Sequence, residues 1–335
     1  MKHLYLIGTY LLVGIFTGWI LFDHDLTEHL QKDNLRGANA YFTNEVRVGQ
    51  GRFTNPLLEC GFATGDSETL SQLEVSRFEL NALADDIRKR GEVSELSIYL
   101  RDLNNGPWIG INEREQFLGA SLLKVPLLIA YLKWAEEEPS ILKKQLFYER
   151  KEIDAWQYFK PERELEKDRQ YTVEELLDYM ISYSDNNAAA LLNANINPNR
   201  ILETFSSLGM GLPEFNEPYP VNTKVYAGFF RVLYNASYLT KKSSEQALEI
   251  LTHARFNKGI AKPIPDNIPV AHKFGIRGDL TSADKQLHDC GIIYHPKNPY
   301  LLCVMTQGND YDTMAEAIQE VSSFVYGEVL TNNER

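Results

Sequence analysis

The chain has 335 residues, and its 34 Lys and Arg against 46 Asp and Glu give a formal net charge of -12. A chain this acidic offers no broad basic surface for phosphate groups, which excludes nucleic acid as its main partner. With 44% hydrophobic and 24% charged residues, the composition is that of a globular protein. Three Cys are too few for a disulfide scaffold or a four-cysteine zinc site, and the seven His show no zinc-ligand spacing. We therefore expect no metal ion and no other cofactor.

The first part of the chain contains an apolar segment long enough to cross a membrane. Residues 4–22 carry no charged side chain, and a helix of that length at about 1.5 Å per residue spans the roughly 30 Å core of a bilayer. No small-residue cleavage site follows, which favours an uncleaved signal anchor over a signal peptide. Lys2 precedes the segment and Asp23 follows it, so residues 1–3 are predicted to be cytoplasmic and the rest extracytoplasmic. We expect a single-pass protein of the cell membrane, with residues 23–74 as an extracytoplasmic linker.

The pattern after residue 74 predicts an α/β domain over residues 75–330 with an inserted helical lobe. Helical spacing of apolar residues, period-two alternation and turn residues give the individual elements. In chain order these are a helix ending near Gly91, a hairpin at 96–100 and 108–111, a helical lobe at about 119–256, strands at about 287–295 and 300–306, and a helix at 314–325. Strands from both ends of this region must meet in one mostly antiparallel sheet, flanked by the terminal helices.

Two short motifs in the helical lobe carry groups suited to acyl transfer. Ser121 and Lys124 are three residues apart at the start of an apolar helical run, which places the hydroxyl and the amine on one helix face. A buried lysine can become the neutral amine that takes a serine proton. The tripeptide Ser184-Asp185-Asn186 follows a helical stripe and can supply a relay hydroxyl and an amide. All three residues of the tripeptide are also ordinary helix N-cap residues.

A third motif follows Pro269, near the end of a further predicted strand. Lys273 can attract a substrate carboxylate there, and Arg277 can assist it. Gly275 lets a flat substrate approach the backbone, so that the next N–H, on Ile276, can point at an oxyanion. Each motif alone is common, but all three in this order indicate one site.

The three motifs together resemble the Ser-x-x-Lys, Ser-Asp-Asn and Lys-x-Gly set of the class A β-lactamases and related penicillin-binding proteins. The resemblance covers residues about 75–330. It implies a sheet with a terminal helix packed on it, an all-helical second lobe and a site in the crevice between them. It also implies that Ser121 is the acylated nucleophile, Lys124 its base and Ser184 the proton relay to the leaving nitrogen. The remaining implied roles are those of Asn186, which orients Lys124 and substrate, of Lys273, which meets the substrate carboxylate, and of the Ser121 and Ile276 N–H groups, which form the oxyanion hole.

Two positions depart from the family pattern. Phe274 stands in the third motif where the family usually has Thr or Ser, which removes a hydroxyl that helps to hold the substrate carboxylate. Residues 212–217 resemble the family's Glu-Pro-x-Leu-Asn loop, and Leu212 takes the place of the Glu that drives water onto the acyl-enzyme. Acylation can survive that loss while deacylation becomes slow. Glu214 or Glu217 can replace the missing base only if the loop turns one of them inward.

Three functional hypotheses follow. The first is a membrane-anchored serine hydrolase that opens β-lactams or cell-wall amides through an acyl-enzyme at Ser121. The second is a penicillin-binding D,D-peptidase or transpeptidase acting on peptidoglycan peptides, which the missing base favours. The third is a non-catalytic module that binds or senses wall fragments.

Two smaller features leave alternatives open. Trp156, Tyr158 and Phe159 form an aromatic cluster that either flanks the cleft or, as we favour, packs in the core or on the surface. Cys290 and Cys303 lie on two strands of one predicted hairpin, and we expect buried free thiols because cross-strand geometry often disfavours a disulfide.

Overall fold

The structure, a computed structural model, describes residues 45–47, 51–60, 67–104, 106–149, 158–211, 219–278 and 284–332. All of these residues fall in one compact unit. Within these ranges we find no helix with the length and apolar character that a membrane span needs. The predicted span at residues 4–22 lies outside the described residues.

The elements alternate between short strands and helices in the first part of the chain. They are β1 (Glu45–Arg47), β2 (Leu57–Cys60), α1 (Ser67–Lys89), β3 (Glu95–Asp102), β4 (Trp108–Ile111), β5 (Phe117–Leu118), a 3₁₀ turn (Ala120–Leu123), α2 (Lys124–Glu137), a second 3₁₀ turn (Pro139–Lys143), β6 (Gln145–Tyr148) and β7 (Arg169–Thr172). The later elements are α3 (Val173–Ser182), α4 (Asn186–Asn195), α5 (Pro198–Ser207), β8 (Pro220–Val221), α6 (Thr223–Tyr234), α7 (Lys241–Thr252), β9 (Val270–Arg277), β10 (Lys285–Ile293), β11 (Tyr300–Gly308) and α8 (Tyr311–Asn332).

The main sheet has five antiparallel strands in the order β4-β3-β11-β10-β9. The central pairing joins distant parts of the chain, since Leu100 on β3 lies opposite Leu302 on β11. β9 is therefore an edge strand of this sheet, and its outer edge is available to the elements of the helical lobe.

Alternation along the strands divides the core into two parts, one on each face of the sheet. On β11, Leu302 and Val304 pack in the cluster shared with α1 and α8, whereas Leu301, Cys303 and Met305 pack in the cluster shared with the helical lobe. Both faces are covered, and each residue of β10 is buried. This arrangement confirms the predicted mixed fold, with terminal helices on one face of an antiparallel sheet and the inserted lobe on the other.

The predicted elements are confirmed with small shifts at their ends. The second strand of the hairpin has the predicted bounds, Trp108–Ile111, and the last two strands begin or end within two residues of prediction. The strand that carries Lys273 runs to Arg277, so Lys273 lies in its middle and not near its end. α1 begins at Ser67, inside the predicted linker.

Residues 51–56, which we call the strap, were predicted to be part of the linker at residues 23–74. They are instead packed against the rest of the domain. Phe53 is 3% exposed and packs with the helical-lobe core. The Glu245 carboxylate on α7 accepts hydrogen bonds from Phe53 N at 2.9 Å, Thr54 N at 2.9 Å and Thr54 Oγ1 at 2.6 Å. Tyr294 Oη donates to Phe53 O at 3.1 Å. The strap has no sequence period, and contacts from residues far along the chain hold it in place.

Glu245→Ala should detach the strap and lower the free energy of unfolding by about 1.5 to 3 kcal/mol, because one carboxylate holds three donors. Urea denaturation measures the loss, and limited proteolysis within the strap reports its release. Glu249→Ala is the matched control, since Glu249 pairs with the same strap through Arg52 but both side chains are mostly exposed, at 51% and 72%. That variant should lose less than about 1 kcal/mol. Equal losses in the two variants would contradict the role given to Glu245.

The expectation of free thiols is wrong as well. Cys290 on β10 and Cys303 on β11 are directly opposite in the register, and their sulfur atoms are bonded. Both side chains are fully buried. The disulfide joins β10 to β11, and β10 also pairs with β9, the strand that carries Lys273.

Candidate active site

Ser121 lies in the 3₁₀ turn that precedes α2, and not in the helix itself. Ala120, the residue before it, has a positive φ of 45°, a left-handed conformation that is unfavourable for a residue with a Cβ. Neighbouring groups hold the turn. Tyr226 Oη on α6 donates to Leu122 O at 2.9 Å, and Gly119 N donates to Tyr219 O at 2.9 Å. The backbone around Ser121 is therefore fixed before any substrate arrives.

Lys124 is the first residue of α2 and is 7% exposed. Its ammonium donates to Ser184 O at 2.6 Å, to Ser184 Oγ at 3.2 Å and to Asn186 Oδ1 at 2.7 Å. Burial lowers the pKa of Lys124 from 10.5 to about 7, and the nearby Asp185 carboxylate opposes this shift. A substantial fraction of neutral amine is thus available near neutral pH, as a general base requires.

Ser184 lies between α3 and α4 and also has a positive φ, at 53°. In this conformation it presents both its carbonyl and its hydroxyl to Lys124. Its Oγ also accepts a hydrogen bond from Lys273 Nζ at 2.9 Å. Asp185 acts as the N-cap of α4, accepting from Ala188 N at 2.7 Å. The capping role and the bridging of two lysines therefore belong to adjacent residues of one tripeptide.

Lys273 is fully buried on β9 and donates to Phe274 O at 2.8 Å as well as to Ser184. Burial holds the pKa of Lys273 well below its ordinary value, and the nearby Lys124 lowers it further. The Asp289 carboxylate acts in the opposite direction. The amines of Lys124 and Lys273 are therefore both buried, and the Ser184 hydroxyl links them in one hydrogen-bond network.

Gly275 is the position at which β9 passes closest to the nucleophile turn. A Cβ there would lie 2.8 Å from Leu122 Cγ and 3.2 Å from Gly119 O and Leu122 N. Ile276, next along the strand, is partly buried. Arg277 is exposed, and its carbonyl accepts from Tyr311 Oη at 2.9 Å. The structure thus brings Ser121, Lys124, Ser184, Asn186, Lys273 and Gly275 to one place where the sheet edge meets the helical lobe.

The candidate deacylation bases Glu214 and Glu217 lie outside the described residues, as do Leu212 at the family's base position and Trp156. Tyr158 and Phe159 are described, and both rings pack against the core that lies between the sheet and its two terminal helices. Tyr158 Oη donates to Asp312 Oδ2 at 2.6 Å, and this contact raises the pKa of Tyr158 to about 12. Both residues thus show the core or surface packing favoured from the sequence, and Phe159 does so with its ring 6.5 Å from that of Phe274, the neighbour of Lys273.

Sequence reasoning missed a buried pair behind Lys273. His272 Nδ1 lies 2.9 Å from Asp289 Oδ1, and Asp289 Oδ2 accepts from Ile260 N at 2.9 Å. The two side chains are 2% and 0% exposed. A polar residue on each of two predicted strands was the available signal, but the register that pairs the strands was unknown.

The antiparallel sheet, the inserted helical lobe and the Ser-x-x-Lys, Ser-Asp-Asn and Lys-x-Gly residues at their junction define the class A β-lactamase fold. The chain belongs to the β-lactamase enzyme family, whose sequence model matches residues 79–329. No curated protein sequence matches the chain.

Solved structures share this fold at low sequence identity. A β-lactamase from Chitinophaga pinensis DSM 2588 is 20% identical with a TM-score of 0.65, and the match covers 76% of this chain and 99% of that one. A point mutant of PBP-A, solved as an acyl-enzyme complex with penicillin-G, is 20% identical with a TM-score of 0.63, covering 76% and 97%. A variant of the last common ancestor of Gram-negative bacteria β-lactamase class A is 22% identical with a TM-score of 0.62, covering 76% and 99%.

Proposed function

We propose that the protein is a membrane-anchored serine hydrolase that opens a β-lactam or a related cell-wall amide through an acyl-enzyme at Ser121. The observation that carries the proposal is the bridging of Lys124 and Lys273 by Ser184 Oγ, at 3.2 and 2.9 Å, beside the fixed turn of Ser121. A neutral Lys124 amine accepts the Ser121 proton as Oγ bonds to the carbonyl carbon. Ser184 then passes a proton to the leaving nitrogen as the C–N bond breaks. The backbone N–H groups of Ser121 and Ile276 stabilise the oxyanion.

Slow deacylation is part of the proposal. Leu212 occupies the sequence position that matches the family's base, and an alkyl side chain cannot take a proton from water. This feature equally favours the second candidate, a penicillin-binding D,D-peptidase.

Intact-protein mass over time after addition of penicillin-G to the full-length protein tests the acyl-enzyme, with Ser121→Ala as the control. A Ser121-dependent adduct that decays within minutes supports a β-lactamase, and one that persists for hours supports the peptidase. If neither penicillin-G nor an uncharged acyl donor gives a Ser121-dependent adduct, the proposal is overturned in favour of a non-catalytic module that binds wall fragments.

The membrane location is proposed from residues 4–22 alone. The full-length protein should sediment with membranes, resist extraction by alkaline carbonate and dissolve in detergent. Recovery in the carbonate supernatant would overturn it.

Gly275→Ala should slow acylation by at least about tenfold, because the added Cβ pushes β9 away from the nucleophile turn and misaligns the two oxyanion N–H groups. The acylation rate constant from quenched-reaction mass measurements gives the effect. Gly228→Ala is the matched control, since a Cβ at Gly228 on α6 meets nothing within 4 Å. That variant should keep the wild-type rate, and a Gly275→Ala rate equal to it would contradict the close-approach argument.

A further inference from the structure

Three phenylalanine rings pack together beside Lys273 of the candidate site, and we call them the aromatic wall: Phe159, Phe256 and Phe274. Phe256 stacks on Phe274 with ring centroids 4.1 Å apart and an interplanar angle of 17°. Phe159 lies 5.2 Å from Phe256 and 6.5 Å from Phe274. Phe256 and Phe274 are each 8% exposed. The wall is a packed apolar surface built from three distant parts of the chain.

Contacts with the catalytic candidates place this wall at the site. Lys273 Nζ lies 4.2 Å from the centroid of the Phe274 ring. The segment that carries Phe256 is attached to the end of α3, because Arg255 N donates to Ser182 O at 2.8 Å, two residues before Ser184. The wall and the Ser184 bridge therefore share the outer edge of β9.

The two lysines at this end are already engaged. Lys273 donates to Ser184 Oγ and to Phe274 O, is fully buried and faces an aromatic ring. Lys258 is the nearby surface cation, and it pairs with Asp312 at 3.3 Å while lying 5.1 Å over the Phe159 ring. Arg255 and Arg277 are exposed to water, where a salt bridge contributes little. Against Phe274, a substrate carboxylate would lose hydration to an aromatic ring that offers it no hydrogen-bond donor.

We propose that the aromatic wall makes the site selective for acyl donors whose group beside the scissile bond is uncharged and apolar, over donors with a carboxylate there. The inference rests on the proposed acylation of Ser121. The chemical step is unchanged: Ser121 Oγ bonds to the carbonyl carbon, the bond from that carbon to the leaving group breaks, and the Oγ proton passes to the leaving atom. The wall determines which leaving groups can bind along β9.

The test compares penicillin-G with its methyl ester on the full-length wild-type protein, because the two differ only at one group, which is a charged carboxylate in the acid and an uncharged methyl ester in the other. The ester should acylate Ser121 at least about tenfold faster, since burying an unpaired carboxylate is costly. Equal rates, or a faster reaction with the acid, would overturn the selectivity while leaving the proposed function intact. An absence of adduct with both compounds would overturn both.

Variants of the wall identify its role. Phe274→Thr should move the ester-to-acid rate ratio toward the acid by at least about tenfold, because it replaces a ring with a hydroxyl donor. Phe147→Thr is the matched control, since Phe147 lies on β6 and is 49% exposed, and its ratio should equal that of the wild type. Phe159→Ala is the alternative variant if Phe274→Thr does not fold. It changes a less buried ring, and it should shift the ester-to-acid rate ratio in the same direction by a smaller factor. An unchanged ratio in both wall variants would overturn the assignment.

Discussion

Lys124→Met should reduce the rate of Ser121 acylation by about 10²- to 10⁴-fold, the usual contribution of a positioned general base. Met fills much of the same volume without an amine, so the fold should survive. The acylation rate constant, from intact-protein mass with an excess of acyl donor, measures the loss. Lys133→Met is the matched control, because Lys133 is on the same helix but its side chain is 39% exposed and pairs with Glu136. Acylation of Lys124→Met at the control's rate would contradict the role of Lys124.

The pH dependence gives a second readout for the same residue. Because burial lowers the pKa of Lys124 to about 7, the wild-type acylation rate should rise as the pH increases through that value and then level off. The folded-state pKa also lies below the unfolded value of 10.5, so the unfolded chain binds more protons between the two. The contribution of this group to stability therefore becomes more favourable as pH rises from about 7 to 10.5. Lys124→Met should remove both dependences.

Asp289→Ala should lower the free energy of unfolding by about 3 to 5 kcal/mol, because it leaves His272 and the Ile260 N–H buried without their acceptor. The exposed fraction of Asp289 is 0%, so water cannot replace the carboxylate without opening the core. Urea denaturation at 25 °C measures the change.

Asp266→Ala provides the comparison for this second variant. Asp266 is exposed in the segment before β9, and its loss should change stability by no more than about 0.5 kcal/mol. A loss below about 1 kcal/mol for Asp289→Ala would mean that the pair does not stabilise the fold.

Local patterns were enough to predict most elements of the fold. The hairpin at β3 and β4 was predictable because alternation and an Asn-Asn-Gly turn agree. The start of β10 was predicted two residues late, because Lys285 and Gln286 are polar but buried. Distant partners satisfy them: Lys285 donates to Asn309 O, and Gln286 accepts from Leu118 N. Such partners leave no local pattern.

The candidate site was predictable where residue type and spacing carry the chemistry, as for Ser121 and Lys124. The structure adds the distances between motifs, such as the 2.9 Å from Lys273 to Ser184, which no sequence period encodes. The strap and the aromatic wall escaped prediction for the same reason. The sequence singled out Phe159 and Phe274 separately, but only the folded chain brings them together with Phe256 in one surface.

The pairing of β3 with β11 has a consequence for how the protein is made. Residues about two hundred positions apart must meet before the sheet exists, and closing so long a loop is slow and entropically costly. During synthesis from the N-terminus, β3 can pair with β4 but lacks its other neighbour until β11 has emerged. The helical lobe is likewise synthesised before β9 can reach Ser121. A polypeptide that ends before β11 is complete therefore contains Ser121 but not the finished sheet, so the candidate site forms only when synthesis is nearly finished.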